Sequence, residues 1–271
     1  MMDTVGMLAT QRRERILAEV RAHGAARVAD LVVALGVSDM TVRRDIAELA
    51  REGLVRRVHG GAVAPDTPSR STDEPGFEAK RTWSSAQKTA IARAALADVE
   101  PGQALALSAG TTTWVLATMI AADPTLRPLT VVTNGLRVAD ALHGADDVEV
   151  VLTGGTRTPS DALVGPVADA TLADLRVDRT FLGVHGLDAD GPTTPNLAEA
   201  ATDRALVRCA AATTVLADHT KWGTVGLARI CGFDEIDTLV VDAGLADDAR
   251  THLAAAVDRL VLARPTPGDP Q

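Results

Sequence analysis

Within the first sixty residues, apolar positions recur at helical spacing. Ile16, Leu17 and Val20 form one stripe, which predicts a helix over 11–23 with Thr10 as its cap and Gly24 as its stop. A second, shorter helix is expected over 28–35. Gly36 then supplies a turn, Val37 points inward, and Ser38 is placed to cap a third helix running to about Glu52 and closed by Gly53. On that helix Val42, Ile46 and Leu49 fall at i, i+4 and i+7. One face therefore turns to the core and leaves Asp39, Met40, Arg43 and Arg44 toward the outer, N-terminal side. Residues 54–58 alternate as a strand does, and with His59 and the glycines after it they form a candidate wing.

The pattern changes from about residue 84. Apolar runs at 104–108, 129–134, 148–155, 179–186, 213–218, 237–244 and 258–263 read as strands. Alanine-rich helical segments, such as 197–212, lie between several of them. Strands and helices taking turns imply an α/β domain with a largely parallel sheet covered on both faces. Residues 62–76 are rich in Pro, Ser, Thr and Asp and read as a linker. The expected division is thus 1–61 for a small helical domain, 62–83 for the linker, 84–263 for the α/β domain and 264–271 for a disordered tail.

Charge sharpens this division. The chain has 271 residues and a net charge of -9, yet residues 1–61 carry ten arginines and eight acids, leaving -11 on the rest. Helix, short helix, glycine turn and third helix is the helix-turn-helix plan, whose last helix enters the major groove of DNA by its N-terminal residues. Ser38, Asp39, Met40, Thr41, Arg43 and Arg44 are the candidate readers, with Arg56, Arg57 and His59 on the wing. Arginine suits this task because it binds guanine O6 and N7 with both arms. The competing reading is a solvated face in which these arginines pair with Asp45, Glu48 and Glu52. Two cysteines, Cys209 and Cys231, without a CxxC pair fit a reducing cytosol. The N-terminus lacks a signal-peptide core, and "SAGTTT" interrupts the uncharged run 101–122, so neither secretion nor a membrane span is expected.

In open α/β sheets, ligands bind beyond the strand C-termini, so the polar tips carry the chemistry. "AGTTT" follows the first strand and opens a helix, placing Gly110, Thr111, Thr112 and Thr113 where backbone N–H groups hold an anion. Thr133 and Asn134, Gly154 and Gly155, and His185 and Asp188 end later strands. Lys221 stands out because the chain has three lysines against twenty-four arginines. A compact ammonium at a strand tip suits a phosphate or carbonyl oxygen, and Glu199 and Asp188 suit hydroxyl groups. A phosphorylated small molecule is the expected ligand, with no further cofactor and no metal. An isomerase-like enzyme using Asp188, Glu199 and Lys221 is the alternative. A metal sensor using His185, Asp218 and His219 is a weaker one, because no spaced ligand set is present.

The segments "RRERILAEV", "VSDMTVRRDIAEL", "EGLVRRVHGGA", "KTAIARAA", "AGTTT", "VVTNGL", "LTGGTR" and "ADHTKWG" resemble those of DeoR-type bacterial transcription regulators over about residues 11–242. That resemblance implies a winged helix-turn-helix on double-stranded operator DNA. It also implies a C-terminal domain similar to sugar-phosphate isomerases that senses a phosphorylated sugar and controls carbohydrate genes, as a repressor. A cytoplasmic homo-oligomer, dimer or tetramer, that performs no catalysis is expected. The family's sugar-phosphate pocket maps onto Gly110, Thr111, Thr112, Thr133, Asn134 and Lys221. Ser108, where many members carry aspartate, and His185 depart from the pattern and bear on which sugar is bound.

Overall fold

The computed structural model describes residues 8–23, 25–58, 61–63, 69–70, 77–81 and 83–266. The chain divides into two compact units, Met1–Ser69 and Arg70–Gln271. Gly24, His59, most of the expected linker and 267–271 lie outside the described residues.

In the first unit, α1 (Ala9–His23), α2 (Val28–Leu35) and α3 (Asp39–Arg51) pack around Ile16, Val20, Leu31, Val42, Ile46 and Leu49. Ser38 caps α3 as expected: its Oγ accepts from the Thr41 amide at 3.3 Å. Gly36 and Gly53 adopt the left-handed φ of +65° and +69° that closes each helix. Thr10 does not cap α1, which already begins at Ala9; the exposed N-terminus is tied instead by the Leu8 amide to Gln11 Oε1 at 3.3 Å. A three-stranded antiparallel sheet joins β1 (Ala25–Arg27), β2 (Arg56–Val58) and β3 (Gly61–Val63), with β3 in the centre. Ala62, where the linker was expected to begin, is therefore fully buried under this wing.

The second unit is built on seven parallel strands: β4 (Ala104–Leu107), β5 (Leu129–Thr133), β6 (Val148–Leu152), β7 (Val177–Gly183), β8 (Ala210–Ala217), β9 (Thr238–Asp242) and β10 (Arg259–Ala263). Their spatial order is β6-β5-β4-β7-β8-β9-β10. The chain starts in the middle, runs to one edge, then returns to β7 on the other side of β4. All seven strands read from the sequence are present. The third is shorter than expected because Gly154 and Gly155 turn away with φ of +71° and +120°. The helix expected over 197–212 ends at Cys209, since Ala210 already pairs with Val177 in the sheet. Side chains alternate across the strands. Leu105, Leu107, Val131 and Leu216 face α5 (Ser85–Ala95) and α6 (Thr111–Ala122), while Ala106 and Val132 face α8 (Pro166–Ala173) and α9 (Leu197–Cys209). Two shorter helices, α4 (Phe77–Arg81) and α7 (Leu136–Leu142), complete the layers that border the site. The expected linker thus holds a helix, and its Phe77 is buried edge-on against Trp114 of α6 at 5.9 Å.

Candidate functional sites

On α3, Ser38, Asp39, Met40, Arg43 and Arg44 are exposed and Thr41 half-buried, while Val42, Ile46 and Leu49 are buried. The three acids of the competing charge-paired reading pair with other arginines than Arg43 and Arg44. Asp45 is buried and held by Arg12 of α1 through bonds of 2.7 and 3.3 Å, Glu52 pairs with Arg13 and Glu48 with Arg51. These acids therefore orient α1 on α3 or cover the helix end, and they leave the N-terminal arginines to others. Arg43 is bridged to Asp39 one turn earlier at 2.5 and 3.2 Å, and Arg44 has no ion pair among the described residues. Arg56 and Arg57 lie on β2, and His59 lies outside the described residues.

The second site forms where the strand order reverses, between β4 and β7, as the rule for open α/β sheets requires. A cavity of about 90 Å³, room for several water molecules, is lined after β4 by Ala109, Gly110, Thr111 and Thr112, and after β7 by Gly183, Val184 and His185. Asp218, Thr220 and Lys221 border it after β8, and Glu199 and Asp203 reach it from α9. Gly110 has φ of +142°, which brings the first amides of α6 to the wall. Asn196 caps α9 and presents Glu199, whose Oε1 accepts from the Thr158 hydroxyl at 2.6 Å and also from Ser160. Asp218 caps the single turn His219–Lys221 and so fixes Lys221.

Of the twelve residues expected to bind the effector, Gly110, Thr111, Thr112, His185, Glu199 and Lys221 line the cavity. The other six do not. Thr113 is fully buried and donates to Gly110 O. Thr133 ties β5 to Leu107 O, and Asn134 accepts from the Ala109 amide at 2.8 Å while donating to Leu163 O. They hold the loop in place from behind. Gly155 admits a close backbone crossing, since a Cβ there would lie 2.6 Å from Val164 O, while Gly154 turns the chain at a φ of +71°. Asp188 sits in a hairpin and accepts from the Asp190 amide. Ser108 bridges the two switch strands, accepting from the Gly183 amide at 2.9 Å.

Sequence reasoning missed Lys80, Trp83, Ser84, Lys88, Ser160, Thr194 and Asp203. One signal was available: the scarcity of lysine, applied to Lys221, applies equally to Lys80 and Lys88. All three lysines of the chain line this cavity. Burial pushes Lys88 down to about 8; the Asp218 charge opposes this, and those of Lys221 and Lys80 reinforce it. No group of three His, Cys, Asp or Glu among the described residues is placed to hold a metal, and His219 Nδ1 is engaged by Asp242 at 2.8 Å. No described helix is long and apolar enough to cross a membrane.

Comparison with known proteins matches the two parts of the chain separately. The model of a DeoR-like helix-turn-helix domain matches residues 12–68 and that of a DeoR C-terminal sensor domain matches 83–243. The chain is 36% identical to the HTH-type transcriptional regulator GlpR of Haloferax volcanii, over 92% of this chain and 96% of that protein. It is 32% identical to the glycerol-3-phosphate regulon repressor of Escherichia coli K12, over 88% and 92%. Ribose 5-phosphate isomerase A of Methanocaldococcus jannaschii overlays on 50% of this chain and 53% of its own at a TM-score of 0.38 and 14% identity. A helix-turn-helix unit followed by a sensor unit, each matched by its own family model, makes this chain a member of the DeoR family of transcription regulators.

Proposed function

We propose that this protein is a cytoplasmic, homo-oligomeric repressor whose grip on operator DNA is set by a phosphorylated sugar or polyol in the β4/β7 cavity. The observation that carries the reading is the gathering of every lysine in the chain at one cavity that also receives the N-terminus of α6. Positive charge and free amides suit phosphate, and the carboxylates of Glu199 and Asp203 across the same cavity suit hydroxyl groups. The glycerol-3-phosphate repressor among the relatives supports the same ligand class. We read the cavity as a sensor and not a catalyst, because Asp188, one of the groups an isomerase mechanism was assigned, lies outside it. The DNA contacts rest on Ser38, Met40, Thr41, Arg43 and Arg44 at the exposed start of α3, with β2 and β3 as the wing.

Binding of the effector changes DNA affinity only to the extent that the ligand prefers one state of the protein. The test pairs Thr111→Val with Lys221→Ala. Operator affinity by fluorescence anisotropy is expected to match the parent, while the response to sugar phosphates is lost. A response that persists in the double variant moves the effector site elsewhere.

A further inference from the structure

Charge recognition alone does not account for Lys88. A phosphate can be neutralised by arginine, which this chain uses twenty-four times. Lys88, from the "KTAIARAA" segment, is only 4% exposed, yet it borders the cavity. Its Nζ donates to the main-chain oxygen of Lys80 at 2.5 Å, which fixes the nitrogen at the wall. A neutral amine making that bond keeps its lone pair, which a guanidinium at the same place does not offer. Burial beside two other ammonium groups is the setting in which a lysine becomes a nucleophile, and the depressed affinity of Lys88 for its proton agrees with it.

We propose that Lys88 captures the effector covalently and reversibly, as an imine with the carbonyl carbon of an open-chain phosphorylated aldose or ketose. This rests on the phosphate-sensing reading above. The Nζ lone pair adds to the carbonyl carbon, and the carbon–oxygen π pair moves to oxygen. Asp218, on the same cavity, carries one proton from nitrogen to oxygen to give the carbinolamine. A second proton follows as the C–O bond breaks, water leaves and the nitrogen lone pair closes the C=N bond. One water is released, nothing is oxidised or reduced, and hydrolysis restores the free lysine.

The full-length protein is incubated with glyceraldehyde 3-phosphate or ribose 5-phosphate and cyanoborohydride, then analysed by intact mass and peptide mapping. The expected product is one reduced adduct per chain, on Lys88. It is suppressed by excess inorganic phosphate and lost in Lys88→Arg. No adduct with either sugar, an adduct confined to Lys80, Lys221 or the N-terminal amine, or labelling of Lys88 indifferent to phosphate overturns the proposal. If Lys88→Arg fails to fold, the phosphate competition in the parent protein still decides. A parallel tryptophan-fluorescence titration uses glycerol 3-phosphate, which has no carbonyl. Saturable binding there without any sugar adduct removes the imine alone, whereas neither binding nor adduct removes the phosphate-sensing reading as well.

Discussion

Arg43 and Arg44 are adjacent, yet their surroundings assign them different costs on binding DNA. Arg43 must leave Asp39, which it holds at 2.5 Å, before it can reach a base or phosphate, whereas Arg44 gives up no ion pair among the described residues. Arg44→Ala is therefore expected to weaken operator binding by about 1–3 kcal/mol, and Arg43→Ala by less. Equal affinity of Arg44→Ala and parent in an anisotropy titration would take Arg44 out of the interface. His219 offers a test in pH. The hydrogen bond that its Nδ1 donates to the Asp242 carboxylate raises its pKa above 6.5 despite burial, so the folded state holds a proton that the unfolded chain releases sooner. This stabilisation is complete below the ordinary histidine pKa and is lost as pH rises through the raised one. The melting-temperature gap between parent and His219→Gln should accordingly be wide near pH 5.5 and shrink by about pH 9; a gap independent of pH would refute the charged pair. Burial holds the Cys231 thiol up at about 12 and also raises Cys209. Both should resist thiol reagents until the chain unfolds.

At the level of elements, the core strands were legible because a parallel strand covered on both faces must be an unbroken aliphatic run. "ALAL", "LTVVT" and "TLVVD" admit little else. Strands β1 and β3 were not, since "AAR" and "GAV" owe their conformation to pairing with one another and not to side-chain pattern. The same reason hid the start of β8, where three alanines suit helix and strand alike. In the site, the loop that opens α6 and Lys221 could be read, because each sits at a strand tip. Lys80 and Lys88 shared with Lys221 only the signal of scarcity, since α4 and α5 precede the first strand of the sheet and the fold alone carries them to the cavity. Gly154 and Gly155 show the opposite error: glycines at a tip suggested a ligand, but Gly154 turns the chain and Gly155 admits the backbone at Val164. Gly155→Ala consequently loses stability, by about 2–4 kcal/mol given a positive φ and a hard backbone contact, as read by urea denaturation. If Gly155→Ala keeps the parent's stability and loses only effector affinity, the glycine belongs to the ligand site after all.

At the scale of the whole molecule, the separation of charge sets how the protein finds its target. Residues 1–61 are net positive while the remainder carries -11, so attraction to the DNA polyanion is confined to the small reader and the larger body is repelled. One reader of this size makes few base contacts. Specific binding in the proposed homo-oligomer then depends on two readers occupying half-sites about one helical turn apart, or a multiple of it. Two consequences can be measured on an operator selected from random duplexes. Destroying one half-site should lower affinity on the order of a hundredfold, since the second contact is an intramolecular event with a high effective concentration. In a salt titration, the slope of log K against log salt should fall by about 1 per reader when Arg44 becomes alanine if that residue neutralises a phosphate. It should stay unchanged, with relaxed preference at one base pair, if Arg44 reads a base. Full affinity for an isolated half-site would mean that a single reader suffices and that the proposed assembly has no part in recognition.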